Sequence, residues 1–321
     1  MKYEQQLLGL GCMGLGGGWN DKPHDVNHVK QARIAVDAAL EAGIRLFDHA
    51  DIYARGKAES VFGELLKSEP GLREHLFIQT KCGIRLPGDP QGSKQGRYDF
   101  SRGHILHAVE NSLKRLQLES IDLLLLHRPD PLVEPEEVAE AFEELKKSGK
   151  VKEFGVSNHT PAQMSLLRKY LPVPLKVNQV EFHLLHTDML DGGIAGVTET
   201  LDPSGVEGTI EYCRTHDIRL QAWSPSARGL LSGAIYRGRD KNLQQRIENC
   251  GARVRELAAQ YEVSPEAIVV AWALHHPARI LPILGSRTPE RIRRCAGSLE
   301  VKLSREEWYE LYCLGRGSGL P

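Results

Sequence analysis

Nowhere does this 321-residue chain hold an uninterrupted apolar run approaching the roughly 20 residues that a membrane-spanning helix needs. An excess of one charge is missing too: 41 Lys and Arg face 42 Asp and Glu, giving a net charge of −1 and an isoelectric point near 6.9. Nothing global therefore draws the chain to nucleic acid or to an anionic membrane. Six cysteines, at 12, 82, 213, 250, 295 and 313, are scattered without a Cys-x-x-Cys pair, which reads as free thiols in a reducing compartment. The opening Met1-Lys2-Tyr3-Glu4-Gln5-Gln6 is polar and lacks the apolar core of a signal peptide. The expectation is a cytoplasmic protein without nucleic-acid or membrane partners, a monomer or small homo-oligomer. Repeats, low-complexity tracts and Pro/Ser linkers are also absent. A prior of about 150 residues per domain suggests two domains, yet α/β barrels routinely run longer as one, so 1–321 is predicted as a single domain.

What the chain does have is an ordinary globular composition, 41% hydrophobic and 26% charged, sufficient for a real core. Strand-like and helix-like segments alternate along it. Short branched or apolar runs predict strands at 7–10, 45–48, 76–80, 121–126, 151–156, 176–179, 218–222 and 279–283. Leu123-Leu124-Leu125-Leu126 is continuously apolar, as expected of a parallel strand covered on both faces. Between the strands, 31–42, 104–116 and 136–147 carry apolar residues at helical spacing, with Gly43 and Gly149 placed to end two of them. Ser264-Pro265-Glu266 and Thr288-Pro289-Glu290 read as N-cap, proline and acid at helix starts. Such alternation implies a parallel sheet, closed or open. The long connections near 84–100, 184–204 and 224–245 are predicted to be functional loops.

Three successive predicted strands end in an ionisable residue: Asp48, Lys81 and His127, with Tyr53 just beyond the first. In a parallel barrel those C-terminal ends share one face, where barrel active sites lie. A phenol titrates near 10, so Tyr53 keeps its proton at neutral pH and can act as a general acid. Lys81 beside it would stabilise the phenolate and lower that value, Asp48 would fix Lys81, and His127 would orient a substrate oxygen. This set protonates an oxygen as hydride reaches the attached carbon.

The residues Phe47-Asp48-His49-Ala50-Asp51-Ile52-Tyr53, Thr80-Lys81-Cys82-Gly83 and Leu125-Leu126-His127-Arg128-Pro129 resemble the aldo-keto reductases. Gly155-Val156-Ser157-Asn158, Asn178-Gln179-Val180-Glu181, Ala222-Trp223-Ser224-Pro225 and Gly285-Ser286-Arg287 continue the likeness in family order, closest to a bacterial branch of predicted oxidoreductases. The resemblance implies a single-domain (β/α)8 TIM barrel that reduces an aldehyde or ketone with NADPH, the substrate being a small carbonyl compound or its alcohol. It implies Tyr53 as the acid, Lys81 and Asp48 as its tuning pair and His127 as the orienting imidazole. Ser157, Asn158 and Gln179 match the positions that hold the nicotinamide carboxamide. Trp223 replaces the usual stacking tyrosine and keeps an aromatic face. Ser224, Ser226, Gly229 and Leu230 belong to the loop that covers the pyrophosphate. Gly285, Ser286, Arg287 and Arg291 lie at a helix start, and a helix N-terminus with guanidinium groups suits the 2′-phosphate of NADP. Where the family often has an acid and Asn contacting adenine, this chain has Arg294 and Cys295.

Other readings compete. Gly9-x-Gly11-x-x-Gly14 formally matches a dinucleotide-binding fingerprint, but Leu15-Gly16-Gly17-Gly18 follows rather than a helix. A close backbone approach of Gly11, Cys12 and Met13 to the nicotinamide accounts for these glycines better. His49 and Asp51 with His127 raise a metal-dependent hydrolase, His183-x-x-His186 and His104-x-x-His107 a metal site. No clustered ligand spacing supports either, so no metal is expected, and His104 and His107 are predicted as solvated helix residues. Arg287 to Arg294 also fits a merely solvated helix face. A cofactor-binding regulatory subunit with little turnover is the alternative to an enzyme. Trp19, His183, Arg128, the loops 15–28, 84–100 and 184–204 and the tail Gly315 to Pro321 are candidates for substrate contact.

Overall fold

In the computed structural model, which describes residues 3–195 and 208–320, eight parallel strands close into a barrel. In chain order they are Gly9–Gly11, Leu46–Asp48, Phe77–Cys82, Ile121–Leu126, Val151–Ser157, Leu175–Glu181, Arg219–Trp223 and Leu281–Leu284. Each pairs with its sequence neighbours, and the first closes on the eighth through Gly9 with Ile283. That seam is tight: a Cβ at Gly9 would stand 2.6 Å from Ile283 and 2.7 Å from Leu46. Gly9 therefore serves barrel closure, and the dinucleotide-fingerprint reading is overturned by the parallel strand that begins there.

Side chains alternate across each strand. Leu123 and Leu125 point inward with Leu46, Val177, Leu281 and Ile283 to fill the barrel. Leu124 and Leu126 point outward into the mantle against the helices, as the continuous apolar run required. Inward positions nearer the C-terminal ends are polar: Asp48, Gln79, Lys81, Gln179 and Gln221 are all buried.

The predicted helices form at Val26–Glu41, Arg102–Leu116 and Pro135–Lys147, each with its apolar stripe on the barrel. Gly43, at φ 78°, takes the left-handed position just past the first. Ser264 caps Pro265–Leu274 by accepting from the amide of Ala267. Thr288 differs from expectation, since its side chain makes no cap bond to Pro289–Ala296. His104 also departs from its prediction. It is buried against the mantle with neither ring nitrogen paired, while His107 is exposed and bonds Asn111. The loop at 84–100 holds a short antiparallel hairpin, Ile84–Arg85 with Arg97–Tyr98. Of the loop at 184–204, the helix Asp188–Ala195 is seen and residues 196–204 lie outside the described residues. All six cysteines are unpaired, and no helix among the described residues is long and apolar enough to cross a membrane.

Candidate active site

Asp48 ends the second strand, in register with Gly11 on one side and Gln79 on the other. Two positions further on, Lys81 shares the inward parity of Gln79, so its Nζ reaches Asp48 Oδ2 at 2.7 Å. The same ammonium donates to the carbonyl of His49 at 2.9 Å and to Tyr53 Oη at 3.0 Å, which uses all three of its N–H bonds. Because Tyr53 Oη accepts from Lys81, its own proton is free to point elsewhere, toward the cleft that Tyr53 lines. His127 follows the fourth strand, its ring 5.8 Å from that of Tyr53 and nearly perpendicular to it.

Tyr53 is delivered by an unusual turn. Ala54, Arg55 and Gly56 have φ of 49°, 59° and 83°, a left-handed run that costs roughly 1–2 kcal/mol for each non-glycine residue. Neighbouring contacts impose it. The amide of Asp51 donates to the carbonyl of Lys81, and below the turn fully buried Glu59 accepts from Arg115 at 2.8 Å and from Thr80 Oγ1 at 2.6 Å. Arg115 lies so close on Gly56 that a Cβ there would meet its Cδ at 2.9 Å.

Burial holds the Tyr53 phenol above its ordinary value, and although Lys81 acts in the opposite sense it does not prevail. The net direction thus differs from the lowering expected, and it leaves the phenol firmly protonated. Burial works against the Lys81 charge, but Asp48 and Tyr53 outweigh it and raise the amine above its usual range. Burial, followed by Lys81 and Arg128, holds His127 well below the ordinary imidazole range, so its ring is neutral. Its Nδ1 is buried without a partner among the described residues.

Tyr53 and His127 open onto a cleft of about 840 Å³ at the C-terminal mouth of the barrel. Gly11, Met13, Asp48, Ser157, Asn158 and Gln179 line it, as do Trp223, Ser224, Ser226 and Gly229. Gly285, Ser286, Arg287 and Arg291 line its far end. Ser157 Oγ donates to the carbonyl of Gln179, and Asn158 Nδ2 donates to Ser157 Oγ. Trp223 in turn donates its indole N–H to Asn158 Oδ1 at 2.9 Å. Asn158, Ser224, Ala227 and Arg228 all take left-handed φ, so much of this rim sits in backbone that only dense local bonding sustains.

Two predicted contacts sit behind the wall. Cys12 is fully buried with its thiol on the carbonyl of Leu10, and Leu230 is half-buried without lining the cleft. Among the arginines of the last helix, Arg293 pairs with Glu41 and Arg294 lies 3.8 Å from Glu266. Arg287 donates only to the carbonyl of Gly14, and Arg291 has no acidic partner among the described residues. Trp19 lines the cleft mouth, whereas His183 turns instead to Glu181.

Several lining residues escaped sequence reasoning: Arg228, Ser232, Glu266 and Thr288. Glu266 comes from the neighbouring helix and reaches the cleft beside Cys295, near the place where an acid was expected and Arg294 was found. Its acid-after-proline signal had been spent on the helix start. The His49 ring packs edge-on against Phe62 at 4.6 Å, and no group of three His, Cys, Asp or Glu among the described residues is placed to hold an ion.

Residues 7–313 match the aldo/keto reductase family. The chain belongs to that family. Among its relatives, a 6-dehydroglucose reductase of Agrobacterium fabrum is 37% identical over 98% of this chain and 96% of its own. The oxidoreductase YdhF of Escherichia coli is also 37% identical, over 89% of this chain and 88% of its own. The solved glycerol dehydrogenase of Gluconobacter oxydans superposes with a TM-score of 0.79 at 25% identity, covering 96% of this chain and 90% of that one. An aldo/keto reductase of Klebsiella pneumoniae, solved with NADP and acetate, gives 0.71 at 25% identity over 97% and 91%. The cleft lies at the C-terminal mouth of the barrel, the face at which barrel enzymes carry their active sites.

Proposed function

We propose that this aldo/keto reductase uses NADPH to reduce an aldehyde or ketone to the alcohol, with Tyr53 as general acid. The observation carrying the proposal is the buried relay in which Lys81 stands 2.7 Å from Asp48 and 3.0 Å from Tyr53 at the mouth of the cleft. The name of the Agrobacterium relative and the NADP in the Klebsiella structure support it.

The residues present fit the cofactor. Trp223 offers an aromatic face, Gln179 leaves its side-chain oxygen for a carboxamide N–H, and Asn158 Oδ1 keeps a second lone pair. Arg287 and Arg291, at a helix start that Thr288 leaves uncapped, suit a dianionic 2′-phosphate. When bound, NADPH supplies the hydride. Tyr53 then gives its cleft-facing proton to the carbonyl oxygen, and the Lys81 ammonium stabilises the phenolate left behind. Neutral His127 presents one N–H to the same oxygen and orients it. Asp48, accepting from Lys81, keeps the ammonium in place. The six unpaired thiols suit a reducing compartment such as the cytoplasm.

Tyr53→Phe tests the assignment. Turnover across a carbonyl panel is expected to fall by about 10²–10⁴-fold while NADPH still binds. Near-parent turnover in a folded variant would remove Tyr53 from the acid's role. A regulatory subunit would instead bind NADPH in the parent protein and turn over no carbonyl.

A further inference from the structure

Barrel interiors are ordinarily filled by branched apolar side chains. Here glutamines interrupt that packing: Gln79 and Gln221 are fully buried, and Gln179 is 2% exposed. An amide taken from water costs free energy unless its polar atoms are matched, and these are. Gln79 Nε2 donates to Asp48 Oδ1 at 2.5 Å and to Gln221 Oε1 at 2.9 Å. Gln221 Nε2 returns a bond to Gln79 Oε1 at 2.8 Å and passes its other N–H to Tyr3 Oη at 3.0 Å. Gln179 Nε2 adds bonds to Asp48 Oδ1 and Gln221 Oε1.

Every N–H of the three amides is spent, so none can turn over without setting an oxygen against the carboxylate or against another carbonyl. Asp48 is thereby held on both oxygens, Oδ2 by Lys81 and Oδ1 by two amides. Leucine or methionine would fill the same space at lower cost. The chain of amides is explained by what it does to the carboxylate.

We propose that Gln79, braced by Gln221, is a positioning residue for the reduction, fixing Asp48 so that Lys81 stays against Tyr53. The inference rests on Tyr53 being the acid, as proposed above. Without the amide dipoles the Asp48 charge is less offset, its field at Tyr53 strengthens, and the phenol holds its proton more tightly. The charged and titratable groups facing Tyr53 are Lys81, Asp48 and Cys12, with the His127 ring beside it. Asp48 itself faces Lys81, Cys12 and Tyr3.

The test uses Gln79→Leu and the near-isosteric Gln79→Met, neither of which can donate to Asp48. Three quantities are read: NADPH affinity by calorimetry, kcat against pH, and ionisation of Tyr53. The last is the phenolate absorbance of each protein minus that of its Tyr53→Phe counterpart, and it needs no substrate. Both variants are expected to bind NADPH like the parent, to lose about tenfold in kcat, and to titrate Tyr53 about one pH unit higher. Loss of stability alone, with Tyr53 titrating alike in parent and variants, would overturn the proposal and leave Gln79 as barrel packing. Should Gln79→Leu fail to fold, Gln79→Met carries the decision. A parent protein that turns over no carbonyl would overturn the reductase reading instead, which the Tyr53 titration distinguishes.

Discussion

Trp223, at the end of the seventh barrel strand, is hydrogen-bonded through its indole N–H to the side-chain oxygen of Asn158, which follows the fifth. Asn158 also donates to Ser157 Oγ and to the carbonyl of His127, and it sits at φ 61°. The aromatic face and the polar rim of the cleft are thus one locked unit before any ligand arrives.

Trp223→Phe separates the two contributions, since it keeps a ring and loses the N–H. NADPH affinity measured by calorimetry is expected to fall about fivefold, the value of one ordinary hydrogen bond. Trp223→Ala, which also loses the stacking face, is expected to fall about tenfold further. Equal affinity for the parent and Trp223→Phe would show that the indole bond does not preorganise the rim.

Glu59 is the buried prop beneath the Tyr53 turn. Glu59→Ala strands Arg115 and Thr80 and relaxes the left-handed run above them. A loss of about 3 kcal/mol is expected in urea unfolding, because removing one partner of a buried pair leaves the other uncompensated. Turnover should fall with it, since the turn positions the phenol. A variant as stable as the parent would show that other contacts impose the turn.

The barrel strands were legible because parallel strands covered on both faces are largely apolar, continuously so at 123–126. Asp48, Lys81 and His127 were legible for a related reason, as ionisable residues at the ends of consecutive strands in a fold that gathers those ends. The Ala54–Arg55 turn was not, because neither residue type signals a positive φ. Contacts outside that stretch impose it. Gln79 and Gln221 stand 142 residues apart, and no local pattern foretells a reciprocal bond between them. Two-residue strands such as Ile84–Arg85 show no periodicity to read. His104 looked like a solvated helix residue because helical spacing alone does not say which face a polar ring joins.

Two buried histidines make a pH prediction. Burial pushes His49 down to about 3 and His159 to about 4. Unfolded, each takes a proton near 6.5, which the folded protein refuses until far lower pH. The unfolded state therefore binds more protons below 6.5, and stability falls as pH falls. Between pH 8 and pH 5 each ring is expected to remove about 2 kcal/mol. Urea midpoints across that range should show the decline, and His49→Leu should lessen it by about 2 kcal/mol. A variant with the parent's slope would exclude His49 as a source.

Arg291 lines the cleft without an acidic partner among the described residues, so Arg291→Ala should weaken NADPH binding by roughly 10–100-fold, the worth of a charge-assisted bond. NADH, lacking the 2′-phosphate, should bind as before. Equal weakening of both would place the guanidinium on the pyrophosphate they share.

Barrel closure has a consequence for synthesis. Gly9 pairs with Ile283, Arg287 reaches back 273 residues to the carbonyl of Gly14, and the cleft takes its lining from Gly11 as well as from Ser286 and Arg291. These adjoining stretches of the lining are translated far apart. A ribosome adding about 5–20 residues each second must pass from one to the other before they can meet. A nascent chain arrested short of the eighth strand should therefore gain no protection from NADPH against protease, and a released chain that includes that strand should gain it.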